Sequence, residues 1–178
     1  RGGPEMPLAI AHAEVRLAAE CGRVLVVARQ PIVKKLLRHV RPGIDLIDST
    51  APDELGPAGS LAAAAARLGD AAEIIVIPVD ALPARADTVA QLLARLRSDP
   101  PPLAVRPVNR GRGGHPVVLR PEALARYLEP SPPPLRDHLR ALGDRCADVE
   151  VDDPTVLIDM DTPGDVMRAT GAPPRFLS

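Results

Sequence analysis

Residues 24–47 read VLVVARQPIVKKLLRHVRPGIDLI, and this stretch decides the fold class. It opens with an apolar run at Val24–Ala28 that shows no alternation, which is typical of a strand covered on both faces. A helical segment near Pro31–His39 follows, and then a second apolar run at Ile44–Ile47. A strand, a helix and a strand in this order indicate parallel strands joined by a right-handed crossover. The sequence therefore predicts an α/β protein.

The same alternation continues on both sides of this unit. An apolar helix face precedes it at Pro7–Cys21, and an Ala-rich helix at about Ser60–Leu68 leads into the apolar run Ile74–Asp80. Further strands are expected at Leu103–Arg106, Pro116–Leu119 and Asp148–Val151, and further helices at Ala86–Arg97, Glu122–Tyr127, Leu135–Leu142 and after Pro163. The 178 residues suit one domain, whose core must be aliphatic because Tyr127 and Phe176 are the only aromatic residues.

The composition argues against several classes of function. The 22 basic and 23 acidic residues leave a formal net charge of −1, so no overall field draws the chain to nucleic acid or to an anionic membrane. Cys21 and Cys146 lack the spacing of a zinc site or of a disulfide framework. No apolar stretch reaches the ~18 residues of a membrane span. We therefore expect a cytoplasmic protein that binds anions at a local site.

Asp80 ends the apolar run IIVIPVD at residues 74–80. In an open α/β sheet, ligands bind beyond the carboxyl ends of the strands, where loops and helix amino termini converge. A carboxylate at such an end is a candidate for metal or substrate binding. The alternative is that Asp80 caps the next helix. A cap normally sits beside its helix, and Pro83 and the distance to Ala86 weaken that interpretation.

A second acidic segment, VLIDMDTPGDV, spans residues 156–166. Asp159 and Asp161 point the same way if this segment is extended. The tripeptide DTP also reads as a helix start, with Pro at the first helical position. On spacing alone, the better explanation is that Asp161 or Thr162 caps the helix and that Asp165 interacts with its dipole.

Two glycine-containing segments are candidates for anion binding. NRGRGGHPVVL at residues 109–119 joins three glycines to Arg110 and Arg112, and such turns can present backbone amides and Arg side chains to phosphate. A flexible turn with solvated arginines looks the same, and His115 alone does not distinguish them. GPAGS at residues 56–60 either offers amides to a phosphate at the start of the Ala-rich helix or is an ordinary helix entry, and it lacks the Walker pattern.

Four segments, taken together and in order, resemble the MobA/MocA-like nucleoside triphosphate transferase family. PVDALPARADTV at residues 78–89 is similar to the family's Pro-Val-Asp-His-Pro-Leu segment and the helix after it. GHPVVL at residues 114–119 matches its Gly-His-Pro strand start. LRDHLRAL at residues 135–142 and VEVDDPTVLIDMDTPGDV at residues 149–166 match its carboxyl-terminal part through the Asp-x-Asp-Thr-Pro-x-Asp motif. The resemblance extends from Pro7 to Met167.

The resemblance implies a three-layer α/β/α fold with a mostly parallel, Rossmann-like sheet of the nucleotide-diphospho-sugar transferase type. It also implies transfer of CMP or GMP from CTP or GTP to a molybdopterin-type phosphate acceptor, with release of pyrophosphate and a molybdoenzyme as a further partner. Asp80 and Asp161 match the two positions that hold Mg²⁺ and act in catalysis. The substrate-binding positions that the resemblance implies are Gly2, Gly3, Gly59, Ser60, Gly114 and His115.

The chain departs from the family's pattern in two places. The family begins with an apolar strand that runs into a Gly-rich loop ending in Lys, whereas Arg1–Glu5 here leads directly into the first helix and the first Lys is Lys34. We therefore expect the amino-terminal strand and phosphate loop to be missing or incomplete in this sequence. In the PVDALP segment, Ala81 replaces a frequent His and Leu82-Pro83 reverses the family order.

These departures leave two alternatives to a molybdopterin nucleotidyltransferase. A catalytically degenerate homologue would bind a nucleotide or a partner protein and act as an accessory protein in molybdoenzyme maturation. A sugar nucleotidyltransferase shares the fold and the use of metal, but it fits the GHP and DMDTP segments less well. The sequence does not choose between CTP and GTP, because in this family base selection rests on the amino-terminal loop.

Overall fold

The computed structural model describes residues 6–18, 21–171 and 173. These residues form two compact units. The amino-terminal unit comprises the described residues of Arg1–Gly69 and Arg126–Leu135, and the carboxyl-terminal unit comprises those of Asp70–Ala125 and Arg136–Phe176. Two of the expected substrate-binding positions, Gly2 and Gly3, lie outside the described residues.

The amino-terminal unit is built around a parallel pair of strands. Its regular elements are α1 (Leu8–Ala18), β1 (Val24–Ala28), α2 (Gln30–Leu36), β2 (Ile44–Asp48) and α3 (Gly56–Ala65), with short 3-10 turns at Leu37–His39 and Asp53–Leu55. β1 and β2 pair in parallel from Val24 opposite Ile44 to Ala28 opposite Asp48. The crossover predicted from residues 24–47 is therefore confirmed.

The carboxyl-terminal unit contains a five-stranded sheet with helices packed on it. Its elements are β3 (Ile74–Val76), α4 (Ala86–Leu96), β4 (Ala104–Asn109), β5 (Arg112–Gly113), β6 (Val117–Leu119), α5 (Pro121–Leu124), α6 (Leu135–Leu142, of which Leu135 belongs to the other unit), β7 (Cys146–Glu150) and α7 (Pro163–Thr170). Further 3-10 turns lie at Gly143–Arg145 and Pro154–Leu157, and another at Ala125–Leu128 belongs to the amino-terminal unit except for Ala125. The strand order is β3-β6-β4-β5, and β7 pairs with β4.

Two strands of this sheet, β5 and β6, run against the other three. β4 and β7 pair in parallel, whereas β6 is antiparallel to both β3 and β4, so β3, β4 and β7 share one direction. A parallel connection needs a dozen or more residues. Between the end of β4 at Asn109 and the start of β6 at Val117 the chain is too short for one. The α/β class is confirmed, and the sheet is mixed.

The buried core is almost entirely aliphatic, as the composition predicts, with Tyr127 as a buried aromatic residue. In the amino-terminal unit, Ile10, Ala13, Leu36 and Ile44 are buried together. In the carboxyl-terminal unit, one face of α4 packs on the sheet through the buried cluster Leu92, Leu96, Val105 and Val118. None of the helices among the described residues has both the length and the apolar character needed to span a bilayer.

Candidate active site

Asp80 lies beyond its strand rather than at the end of it. The sequence predicts one strand over residues 74–80, but β3 stops at Val76. Pro78 lacks the N–H that a ladder needs, and its carbonyl accepts a hydrogen bond from the N–H of Ala81 at 3.3 Å, which closes a turn around Asp80. The turn displaces Asp80 from β3 and leaves its residue half-buried.

Backbone pairing holds the two acidic segments side by side. The N–H of Met160 donates to the carbonyl of Asp80 at 2.8 Å, and the N–H of Leu82 donates to the carbonyl of Ile158 at 2.9 Å. Between these bonds Ala81 forms an antiparallel bridge with Asp159. Asp80 thus lies opposite Met160, and Asp161 is the next residue along. The structure brings the backbones of the two predicted metal-holding residues within one residue of each other.

The GHP segment docks on the chain that leads into the second acidic segment. The N–H of His115 donates to the carbonyl of Val156 at 2.8 Å, and the N–H of Gly114 donates to the carbonyl of Pro107 at 2.9 Å. A β-carbon on Gly114 would lie 2.1 Å from the Val156 oxygen, far inside van der Waals contact. Glycine is therefore required at position 114 for the two segments to touch.

The carboxylates of Asp80 and Asp159 affect the pKa of the His115 imidazole. Burial lowers the pKa of its imidazole, and the negative charges of Asp159 and then Asp80 oppose that shift without reversing it. The Nδ1 atom of His115 is buried and has no hydrogen-bond partner among the described residues. Buried polar atoms are normally paired, so this nitrogen is available to a ligand.

The carboxylates themselves are not used in holding the fold together. Among the residues that the structure describes, the side chains of Asp80, Asp159 and Asp161 make no hydrogen bond or salt bridge. Asp159 and Asp161 are exposed. Helix α4 begins at Ala86 with Arg85 as its N-cap, so Asp80 does not cap it.

The cap of the last helix is Thr162 and not Asp161. The N–H of Asp165 donates to Thr162 Oγ1 at 3.2 Å, and the N–H of Thr162 donates to Asp165 Oδ2 at 2.8 Å, which is a capping box. Hydrogen bonds from Thr162 lower the pKa of the Asp165 carboxyl, and Arg168 pairs with the same group. The choice between Asp161 and Thr162 is thus resolved, and Asp161 has no capping role.

Sequence reasoning missed Asp153, which anchors the candidate site. Its carboxylate is fully buried and accepts hydrogen bonds from the N–H of Arg85 at 2.8 Å, from Thr88 Oγ1 at 2.8 Å and from the N–H and hydroxyl of Thr155 at 3.1 and 2.6 Å. Burial alone raises the pKa of this carboxyl, but the hydrogen bonds outweigh burial and hold the pKa below its ordinary value. Asp153 therefore ties the start of α4 to the turn before the DMD segment.

The remaining predicted residues, Gly59 and Ser60, belong to the amino-terminal unit. The sequence predicts a helix from about Ser60 with Gly59 just before it, but α3 starts at Gly56, so both residues lie within the helix. A β-carbon on Gly59 would lie 2.6 Å from the β-carbon of Ala51, so the absence of a side chain allows close packing there. Residues 56–60 therefore form the start of α3, where Pro57 is tolerated in the first turn.

The donor set of the acidic segments suits a hard cation. No group of three or more His, Cys, Asp or Glu side chains that could hold a metal occurs among the described residues. Mg²⁺ usually keeps several waters and uses only one or two protein carboxylates, with substrate phosphates completing its shell. The carboxylates of Asp80 and Asp161, which have no other partner in the described chain, fit that requirement.

Comparison with protein families identifies a match over most of the chain. The family model described as the MobA-like NTP transferase domain matches residues 4–147. A search of curated proteins finds no match.

Solved structures with the same fold come from several bacteria. A homologue of Mycobacterium tuberculosis Rv0371c, from Mycobacterium sp. strain JC1, aligns with a TM-score of 0.70 at 22% identity over 93% of this chain and 82% of that one. Rv0371c of M. tuberculosis in complex with manganese gives 0.71 at 15% identity over 92% and 87%. A 4-diphosphocytidyl-2C-methyl-D-erythritol synthase from Anaerococcus prevotii gives 0.68 at 15% identity over 96% and 87%. At these identities the likeness concerns the fold.

Proposed function

The chain belongs to the MobA-like NTP transferase family, and on that premise we propose that it transfers CMP or GMP from CTP or GTP to a molybdopterin-type phosphate acceptor, releasing pyrophosphate. The observation that carries this proposal is the backbone pairing of the Asp80 turn with the DMD segment. Nothing in the described fold uses the carboxylates of Asp80, Asp159 and Asp161, whose backbones this pairing brings together. Carboxylates without a protein partner on paired segments suit a hard cation that needs only one or two of them.

Asp80 and Asp161 are the residues proposed to hold the metal, which we take to be Mg²⁺. Asp80 lies opposite Met160 in the pairing, and Asp161 leaves the pairing immediately before the cap of α7. Side chains alternate along an extended segment, so Asp80 shares a face with Met160, and the Asp161 side chain must turn toward Asp80 if both are to bind one ion. The complex of Rv0371c with manganese supports the proposal that a protein with this fold binds a divalent cation.

His115 and two apolar side chains are proposed to contact the substrates. The buried Nδ1 of His115 can hydrogen-bond the acceptor. Val79 and Ile158 flank the acidic segments, and 53% and 40% of their surfaces are exposed. Apolar surface beside a charged centre suits a ligand that combines phosphates with a flat ring, such as a nucleotide base or a pterin.

The reaction needs no nucleophile from the protein. An oxygen of the acceptor phosphate attacks the α-phosphorus of the nucleoside triphosphate, and the bond from the α-phosphorus to the bridging oxygen breaks as pyrophosphate leaves. A bound divalent cation supplies charge neutralisation at the phosphate oxygens. The chain's own contribution would be alignment of the substrates by Asp80, Asp161 and His115, whose segments are held by backbone hydrogen bonds.

The wider setting of the protein is part of the same proposal. A molybdopterin-type acceptor would be consumed in the maturation of a molybdoenzyme, which makes such an enzyme a proposed partner. The near-neutral formal charge of −1 supports a protein that associates with neither nucleic acid nor an anionic membrane, and the two cysteines without a motif suit the proposed cytoplasmic location.

The proposal is tested by incubating the full-length gene product with CTP or GTP and Mg²⁺, with and without molybdopterin, and measuring pyrophosphate release. We expect release only when the nucleotide, the metal and the acceptor are all present, and loss of release in the Asp80→Asn variant. Metal-dependent nucleotide binding without turnover would instead identify an accessory protein. Turnover with a sugar phosphate but not with molybdopterin would identify a sugar nucleotidyltransferase.

A further inference from the structure

The carboxyl-terminal unit has a polar cleft formed by residues that the proposed active site does not use. It is a cleft of about 300 Å³ between β4, β7 and α6. Three arginines line it, Arg106 from β4 and Arg136 and Arg140 from α6, together with Cys146 and Asp148 from β7. Arg106 pairs with Asp148 and Arg140 with Asp137, so the net positive charge of the cleft comes from Arg136.

Arg106 is held rigidly in the wall of the cleft. It lies opposite Asp148 in the parallel pairing of β4 with β7, and its Nε and Nη2 donate to the two carboxylate oxygens of Asp148 at 3.0 and 2.9 Å. A β-carbon on Gly113 would lie 2.7 Å from Arg106 Nε, so this glycine lets the backbone press against the guanidinium. A guanidinium has five N–H donors, and the Asp148 bonds occupy only two of them. The remaining donors keep a fixed direction.

The two arginines of α6 lie on one face of that helix. Arg136 and Arg140 are four residues apart, a spacing that makes their side chains neighbours and is unfavourable for two like charges. Arg140 pairs with Asp137 at 3.1 Å. Arg136 makes no hydrogen bond or salt bridge with any residue that the structure describes. An anion bound between the helix and the strand would remove this repulsion.

We propose that this cleft binds a small organic phosphate, at a site separate from the nucleotidyl transfer centre and without a metal. Guanidinium groups approaching from a strand and from a helix suit the tetrahedral oxygens of a phosphate, which accept hydrogen bonds in several directions. A volume of about 300 Å³ is at the lower end of small-molecule sites and leaves room for the group that carries the phosphate. Cys146 and Leu139 provide the less polar part of the lining.

The test uses calorimetry in EDTA, with inorganic phosphate and pyrophosphate as the probes and sodium malonate at matched ionic strength as the comparison. We expect saturable phosphate binding that Arg136→Gln and Arg140→Gln each weaken about tenfold or more, since each removes a charge-assisted hydrogen bond. Arg67→Gln, which removes an exposed arginine of the amino-terminal unit, leaves the affinity unchanged. Asp80→Asn also leaves it unchanged, which separates this site from the proposed metal site.

Cys146 locates the bound anion. The Cys21→Ser variant leaves Cys146 as the cysteine that a thiol reagent can modify. Phosphate should slow that modification when the three arginines of the cleft are present. The additional substitution Arg136→Gln should abolish the protection. Absence of saturable binding, equal affinity for malonate, or equal weakening by Arg136→Gln and Arg67→Gln would each overturn the proposal. Retained folding of the variants is checked by their circular dichroism, so that a lost signal reports on the cleft.

Discussion

The backbone N–H of Met160 donates a hydrogen bond of 2.8 Å to the carbonyl oxygen of Asp80, joining two parts of the chain that are far apart in sequence. This bond sets which residues of the PVDALP segment face which residues of the DMD segment. It places Asp80 beside the residue that precedes Asp161, while Ala81 pairs with Asp159. The proposed metal site is a consequence of this register.

Replacement of Asp80 should separate binding from stability. Asp80→Asn removes a carboxylate that has no partner within the described chain, so we expect the melting temperature to stay nearly unchanged. Nucleotide binding in the presence of Mg²⁺ should weaken by at least about tenfold, because even residues that only support metal ligands have effects of that size. Differential scanning fluorimetry and calorimetric titration with CTP and GTP provide the two measurements.

The matched control for Asp80→Asn is Asp70→Asn, which makes the same change of charge at an exposed aspartate of the same unit. Asp70→Asn should change neither the melting temperature nor the binding of nucleotide in the presence of Mg²⁺. A large drop in melting temperature for Asp80→Asn alone would show that this carboxylate stabilises the fold instead of binding metal.

Substitutions of the adjacent residues Thr162 and Asp161 should affect different properties, stability for Thr162 and nucleotide binding for Asp161. Thr162→Ala removes the side chain that accepts the N–H of Asp165, and loss of an N-cap costs about 1 kcal/mol of unfolding free energy. Asp161→Asn should leave that free energy unchanged and weaken metal-dependent nucleotide binding. Urea unfolding and nucleotide titration of both variants test the assignment, and a reversed pattern would make Asp161 the structural residue.

Gly114 should be intolerant of any side chain. A β-carbon would lie 2.1 Å from the carbonyl oxygen of Val156, so Gly114→Ala should lower the unfolding free energy by about 1–3 kcal/mol, as overpacking does in other proteins. Gly22→Ala is the control, because nothing lies within 4 Å of its added β-carbon and its φ is not positive. If the two substitutions cost the same in urea unfolding, the contact between Gly114 and Val156 has no energetic role.

Asp153 should make stability depend on pH in the acidic range. Its pKa is lower in the folded chain than the ordinary value of 3.8, so its stabilisation is fully present above that value and is lost as the pH falls through it toward the folded pKa. Asp153→Ala should remove this pH dependence and lower the unfolding free energy at neutral pH by about 2 kcal/mol or more. The measurement is urea unfolding at a series of pH values. If the unfolding free energy of the variant falls at low pH as steeply as that of the wild type, the assignment to Asp153 is wrong.

The local elements of the fold could be predicted because their signals are local. The apolar run Val24–Ala28 and the amphipathic segment Leu135–Leu142 have the predicted bounds. The direction of β6 could not be read from Val117–Leu119 itself, since a buried apolar run looks the same in either direction. The direction of β6 follows instead from the short connection between β4 and β6, since a parallel arrangement would need a longer one.

The candidate site could be predicted only in part. Asp80, Asp161 and His115 were found through their motifs, but the register that brings the acidic segments together depends on long-range hydrogen bonds. Asp153 was missed because its partners Arg85 and Thr88 are 68 and 65 residues away in sequence. Its one local signal was the Asp-Pro-Thr order, in which an aspartate accepts the N–H two residues on.

The claim that one divalent cation is shared by Asp80 and Asp161 is tested most directly by Mn²⁺ binding in the presence of CTP or GTP, followed by electron paramagnetic resonance. A double-mutant cycle compares the wild type with Asp80→Asn, Asp161→Asn and the variant that carries both substitutions. We expect each single substitution to weaken Mn²⁺ binding to a similar extent, and the double variant to be little worse than either. Additive losses, or a single variant that binds Mn²⁺ as the wild type does, would contradict a shared ion.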